Sequence, residues 1–201
     1  MGIPKGLALF QNQHWLTWQI KNFFRSGGEN VLIVFGSDKE IYQNTLPWLR
    51  HEENDWFSFD DRKVAFVVNH CPVLGQFSSI QTGLQVLCSQ DVPGCFVQPI
   101  DVPIPDQEVF QALSTAKKQN VDAVMPTHQG KGGHPVLLAK TFMDYLLNLP
   151  VDEKNSRLDR QINSLPSERL IKTPVIHDTV CLNLNTPSEW QQFHGLQTNR
   201  G

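Results

Sequence analysis

The stretch VAFVVNHCPVLGQFSSIQTGLQVLC, residues 64–88, decides the fold class. Its first five residues form an unbroken, largely β-branched apolar run, the mark of a strand buried on both faces in a parallel sheet. A loop containing Pro72 and Gly75 follows, and residues 78–88 carry a helical pattern with a serine at the capping position. The same unit recurs on either side. VLIVFG (31–36), CFVQPI (95–100) and VDAVM (121–125) read as further buried strands. Residues 13–26 place Leu16, Ile20, Phe23 and Phe24 on one helical face and end at Gly27-Gly28, and residues 106–119 read as a helix capped by Asp106. Strands alternating with helices at this spacing predict a Rossmann-like, open, mostly parallel α/β sheet.

The second half is less regular. Residues 135–138 predict a strand, 140–149 a helix, and the polar stretch 150–161 a loop entering a short helix. Residues 170–176 and 180–184 predict two more strands, and Pro187 opens a last helix at its favoured first-turn position. Residues 1–195 thus read as a single domain, with 196–201 as a frayed tail. At 201 residues, with 40% hydrophobic and 18% charged residues, the chain is long enough to bury a full core. The net charge of −3 gives no reason to expect nucleic acid or an anionic membrane surface, and no apolar run approaches a bilayer span. The four cysteines form no CxxC pair and fit reduced thiols in a cytoplasmic protein. At the start, MGIPKG lacks the apolar core of a signal peptide, and Gly6 stands where a myristoylation signal requires Ser or Thr.

Ligands of open α/β sheets bind beyond the carboxyl ends of the strands, so the residues there are the candidates. Gly36 follows the first strand. Asn69, Gly75, Ser78 and Ser79 follow the second and lead into a helix N-terminus suited to a phosphate or a polar base edge. Asp101 follows the third strand between prolines, placed to bind a hard divalent cation such as Mg²⁺. Plain alternatives stand beside each: a serine at a helix start serves as a cap, and a strand-end aspartate as a turn residue.

The order of these pieces resembles the molybdenum-cofactor nucleotidyltransferases, of the nucleotide-diphospho-sugar transferase fold. NHCPVLGQFSSIQTGL (69–84) and FVQPIDVPIPDQEVF (96–110) are similar to the family's Asn, Gly, Ser-Ser helix start and Gly-Asp-Met-Pro strand end. VMPTHQGKGGHPVLLAKTF (124–142) is similar to its Gly-His-Pro-Val stretch, CLNLNTPSEW (181–190) to its Asn-Thr-Pro signature, and MGIPKGLALF (1–10) to its Met-Gly-x-x-Lys opening. The resemblance implies a reaction in which the terminal phosphate of molybdopterin attacks the α-phosphate of CTP or GTP and pyrophosphate leaves. It implies Mg²⁺ on Asp101 and Asn185, and Lys5 on nucleotide phosphate or base. Gly36, Asn69, Gly75, Ser78 and Ser79 would line the nucleotide site, and Gly133 and His134 the acceptor pocket. A molybdoenzyme or chaperone partner would receive the product.

Two departures accompany the resemblance. Asn183 and Asn185 stand where cytidylyl-type relatives carry aspartates; guanylyl-type relatives tolerate Asn here, and the choice of base stays open. The family also places a first strand and a Gly-rich, Arg-ending loop directly ahead of Met-Gly-x-x-Lys, and this chain is expected to lack both. Three explanations follow: a start further upstream, a degenerate relative that binds nucleotide or pterin without turnover, or a transferase acting on another phosphorylated acceptor.

Overall fold

A computed structural model describes residues 3–151 and 157–198. After a 3-10 turn at Lys5–Leu7, β1 (Leu9–Phe10) and β2 (Gln13–His14) form a small hairpin leading into α1 (Trp15–Arg25). There follow β3 (Asn30–Phe35), α2 (Lys39–Thr45), β4 (Phe57–Phe59), β5 (Arg62–Val68), α3 (Gln76–Ser89), β6 (Gly94–Val97) and α4 (Gln107–Ala116). The second half holds β7 (Ala123–His128), β8 (Lys131–Gly132), β9 (Val136–Ala139), α5 (Lys140–Leu147), α6 (Leu158–Asn163), β10 (Leu170–Pro174) and α7 (Pro187–Thr198). No helix among the described residues is long and apolar enough to cross a membrane. Residues 152–156 of the predicted polar loop, and 199–201 of the predicted tail, lie outside the described residues.

The predicted open α/β architecture is present, in two half-sheets. One runs β3-β5-β4, with β3 and β5 parallel; the other runs β10-β7-β9-β6, with β10 and β7 parallel, β9 antiparallel to its neighbours, and β8 on the end of β7. In β5, Val64, Ala65 and Phe66 are fully buried, as the apolar run predicts. In β3, by contrast, only Ile33 and Phe35 are buried. The expectation that β3 is covered on both faces fails because it is an edge: β5 pairs one side, and no described strand pairs the other.

Three of the differences from expectation bear on the site. The helix predicted from Ser78 begins at Gln76 with Gly75 as its N-cap, and no side chain caps it. The strand predicted over 95–100 stops at Val97, ahead of Pro99, which has no N–H to donate to a ladder. The strand predicted over 180–184 is a 3-10 turn at Asp178–Cys181 and an irregular connection. Its backbone groups bond loops instead of a neighbouring strand: Val180 O accepts from His134 N at 2.8 Å, and Leu184 N donates to Asp101 O at 2.7 Å.

Helix α1 joins the halves. Leu16 and Ile20 pack into the core under β3 and β5, while Trp15 and Trp18 enter an aromatic cluster with Phe10, Trp190 and Phe193. The Trp15 and Trp18 rings stack at 4.8 Å, and Trp190 meets Trp15 edge-on at 4.8 Å. The same helix fixes the loop after β6. Trp15 Nε1 donates to Ile100 O (2.6 Å), and Gln19 both donates to Val102 O (2.7 Å) and accepts from Ile104 N (2.8 Å). Trp15→Ala should therefore lower unfolding free energy by about 3–5 kcal/mol, the range for deleting a large buried aromatic, as read by urea denaturation. A loss below about 1 kcal/mol would show that the cluster does not hold the halves together.

Candidate functional site

Asp101 lies four residues beyond the end of β6, on the loop held by Trp15 and Gln19. Its main-chain carbonyl is held by Leu184 N, which sets Asn185 beside it. The two side-chain oxygens converge on one cation. Lys5 Nζ lies 3.3 Å from Asp101 Oδ2 and donates a short hydrogen bond to Asn185 Oδ1. Asn185 is fixed from behind by Glu189, whose Oε2 accepts from Asn185 N (2.8 Å), Thr186 N (2.7 Å) and Thr186 Oγ1 (3.0 Å). Thr186 Oγ1 in turn accepts from Glu189 N at 3.3 Å, completing a reciprocal capping arrangement at the start of α7. The N–H groups of Asn185 and Thr186 hold the Glu189 carboxyl below its ordinary pKa, so it stays ionised in mild acid.

Lys5 is positioned from the other half-sheet. Gly6 N donates to Tyr42 Oη (3.1 Å), and a Cβ at Gly6 would lie 2.7 Å from that oxygen, so a larger residue would push the segment away. Tyr42 packs on Phe35 at the carboxyl end of β3, with ring centroids 4.8 Å apart. Lys5 and Gly6 thus bridge the carboxyl ends of β3 and β6.

The second group closes on itself. Asn69 is buried, and its Nδ2 donates to Ser78 Oγ (2.8 Å) and Ser79 Oγ (2.9 Å), while its Oδ1 accepts from Cys71 N (2.9 Å). Ser78 Oγ donates to Gly75 O at 2.7 Å. Asn69 and Ser78 therefore shape the loop, with their polar atoms engaged internally. Gly75 sits at φ +85°, which side chains other than glycine rarely adopt, and it turns the chain into α3. Gly36 has no such requirement: a Cβ there would meet only Pro72, at an ordinary 3.6 Å.

Gly133 and His134 form the third group. A Cβ on Gly133 would lie 2.3 Å from Val180 O, so the close approach of these two backbones requires glycine. His134 Nδ1 is buried without a hydrogen-bond partner. Burial pushes the His134 pKa down, opposed by a hydrogen bond to the Val97 backbone and by the charges of Asp101 and Asp159, and the ring is neutral near pH 7. Gly75, Ser79, Gly133 and His134 line one cleft of about 2260 Å³ between the half-sheets. Lys5, Asp101 and Asn185 meet at the carboxyl end of β6.

Asp101 and Asn185 offer two hard oxygens at one point, which suits Mg²⁺: that ion keeps several waters and takes one or two protein ligands plus substrate phosphates. Among the described residues, no group of three or more His, Cys, Asp or Glu could hold a metal by itself. In this structure the Lys5 ammonium lies between these two oxygens. Sequence reasoning missed Glu189, Trp15, Gln19 and Tyr42. The Thr186-x-x-Glu189 spacing was a readable signal for the first; the other three act through tertiary contacts that leave no local pattern.

Among curated proteins none matches this sequence. Solved structures do match its fold. The Mycobacterium tuberculosis Rv0371c homologue from Mycobacterium sp. strain JC1 superposes with a TM-score of 0.71 at 14% identity, over 100% of this chain and 91% of that one. Rv0371c of Mycobacterium tuberculosis H37Rv in complex with manganese gives 0.64 at 13%, over 96% and 91%. Molybdopterin-guanine dinucleotide biosynthesis protein A from Archaeoglobus fulgidus gives 0.65 at 18%, over 98% and 92%. At these identities the likeness is one of fold. The sequence itself carries more, since the model of the MobA-like NTP transferase domain matches residues 1–166, and the chain belongs to that family.

Proposed function

We propose that this protein is an Mg²⁺-dependent nucleotidyltransferase that joins CTP or GTP to molybdopterin, in its free or molybdenum-bearing form, and releases pyrophosphate. The observation that carries this reading is the convergence of the Asp101 and Asn185 side-chain oxygens on the Lys5 ammonium, at the carboxyl end of β6. Family membership supports nucleotidyl transfer, and the resemblance of residues 124–142 and 181–190 supports the acceptor. The manganese complex of Rv0371c shows a protein of this fold with a divalent ion.

In this reaction an oxygen of the acceptor phosphate attacks the α-phosphorus, the bond to the β-phosphate bridging oxygen breaks, and pyrophosphate leaves with that electron pair. Positioning and charge neutralisation supply most of the rate. Asp101 and Asn185 would hold Mg²⁺, which when bound neutralises charge on the phosphates. Lys5, released from Asp101, would carry its ammonium to a phosphate oxygen. The loop of Asn69, Gly75 and Ser79 would present polar groups and the start of α3 to the nucleotide, with Ser78 and Asn69 setting its shape. Neutral His134 donates to the Val97 backbone, so its unpaired Nδ1 would accept a hydrogen bond from the acceptor without adding a fixed charge.

A second reading, a nucleotide- or pterin-binding protein without turnover, draws on Asn185. Its amide ligates a cation with no negative charge, so the seat holds metal more weakly than a pair of carboxylates would. Pyrophosphate release from GTP or CTP with molybdopterin separates the two. Under the transferase reading, Asp101→Ala lowers the rate about 10²–10³-fold, as for loss of one preorganised electrostatic group. No release with either nucleotide, alongside measurable nucleotide binding by calorimetry, would establish the second reading instead.

His134 makes a separate prediction. Its folded pKa lies below the ordinary imidazole value of 6.5, so the unfolded chain takes up a proton first as pH falls. Stability is fully present above pH 6.5 and is lost as pH falls from there through the folded pKa. The stability of His134→Gln should fall less steeply across that window, as read by urea denaturation at several pH values. Parallel slopes would show that the ring is not held neutral.

A further inference from the structure

Among the described residues, three lysine or arginine side chains line the cleft: Lys63, Arg157 and Lys172. Arg157 is neutralised, because its Nε and one terminal nitrogen donate to the two carboxylate oxygens of Asp159 at 2.9 and 3.0 Å. Lys63 stands at the amino end of β5, in the other half-sheet from His134. Lys172 differs from both. It is exposed in the middle of β10, and among the described residues its ammonium has no hydrogen-bond or ion-pair partner.

Strand register places that ammonium. Lys172 pairs with Met125 of β7. Continuing the β7–β9 pairing by one residue reaches Val136, which pairs with Val97 of β6. Residues in one cross-strand row share a face of the sheet. On this face Met125, Val136 and Val97 belong to the apolar cluster that also holds Leu158 and Ile162 of α6. Three strand spacings of about 4.8 Å set Lys172 about 14 Å from Val97. His134 bonds the Val97 backbone, and Asp101 and Asp159 lie near enough for their charges to act on its ring. The acceptor side of the cleft thus has an apolar floor, with His134 and Asp101 at one end and an unpaired ammonium at the other. A cation beside apolar walls attracts an anion more strongly than one in open water.

We infer that Lys172 is a specificity-determining residue of the acceptor site, binding a second anionic group of the acceptor at the end remote from the attacking phosphate. The inference rests on the transferase reading given above and names the class of acceptor. That class is a small molecule with a phosphate at one end, a flat ring body that lies along the floor, and a further anion at the other end. Molybdopterin has this form, its ene-dithiolate sulfurs supplying the second charge. A sugar monophosphate has one anionic end and gains nothing from Lys172.

Steady-state kinetics and calorimetry on the full chain test this with two probes, molybdopterin and a phosphorylated pterin that lacks the dithiolate. In Lys172→Gln the KM for molybdopterin should rise about 10–100-fold, the effect of one hydrogen bond to a charged group, with kcat and the nucleotide KM within about twofold. Lys172→Arg should keep most of the affinity, and Lys63→Gln, in the other half-sheet, should change nothing. The dithiolate-free probe should bind Lys172→Gln and the unaltered protein equally. If neither protein releases pyrophosphate, the transferase reading fails, and calorimetry still decides the role of Lys172. Weaker binding of molybdopterin alone by Lys172→Gln supports it. Equal binding of molybdopterin by the two proteins would overturn the inference, leaving a lysine that only guards the edge of the sheet. Equal weakening for both probes would overturn it as well.

Discussion

Two half-sheets that share no strand pairing among the described residues must be held together by side chains, and helices α1 and α3 share that load. The apolar stripe of α1 packs beneath β3 and β5, while Trp15 and Gln19 reach across to the carbonyls of Ile100 and Val102 beyond β6. A hydrogen bond from a buried donor to a fixed carbonyl is costly to lose, because the donor left behind is desolvated and unpaired. The stacked tryptophans add apolar area and a defined crossing geometry. The loop bearing Asp101 is therefore set by the same contacts that keep the halves in register.

From that loop the site is built in layers. Leu184 N on the Asp101 carbonyl brings Asn185 alongside, and the Thr186–Glu189 cap holds Asn185 in place while closing the start of α7. Lys5 comes from the opposite side, anchored through Gly6 and Tyr42 to the end of β3. Residues far apart in sequence thus meet at the carboxyl ends of the strands, where open α/β sheets place their ligands. There the lysine ammonium is shared between a carboxylate and an amide oxygen.

Much of the architecture was legible in the sequence because buried strands and amphipathic helices carry their own periodicities. The runs at 31–35, 64–68 and 121–125, the stripe of α1 and Pro187 at the start of α7 all lie where those patterns put them. Residues 180–184 read as a strand because a short, mostly apolar run has the same appearance whether its backbone pairs with a strand or with loops. The serine at 78 resembled a cap, yet the helix starts two residues earlier, where Gly75 can adopt a positive φ. Lys5, Asp101 and Asn185 were singled out by resemblance, and the structure brings them together. Asn69, Gly75, Ser78 and Ser79 also cluster, although two of them serve the loop's own hydrogen bonds. Gly36 stands apart, with no close approach that requires glycine. Burial of β3 was overestimated because hydrophobicity records what a strand is suited to pack against, not what lies beside it.

The central claim is that Asp101 and Asn185 form a divalent-cation seat for which Lys5 competes. Electron paramagnetic resonance of Mn²⁺ titrated into the protein, without nucleotide, tests it most directly. Removing the ammonium in Lys5→Met should tighten Mn²⁺ binding about tenfold, the effect of about 1.4 kcal/mol, and adding Asp101→Ala to that variant should abolish it. Mn²⁺ affinity that is the same in all three proteins would contradict the account.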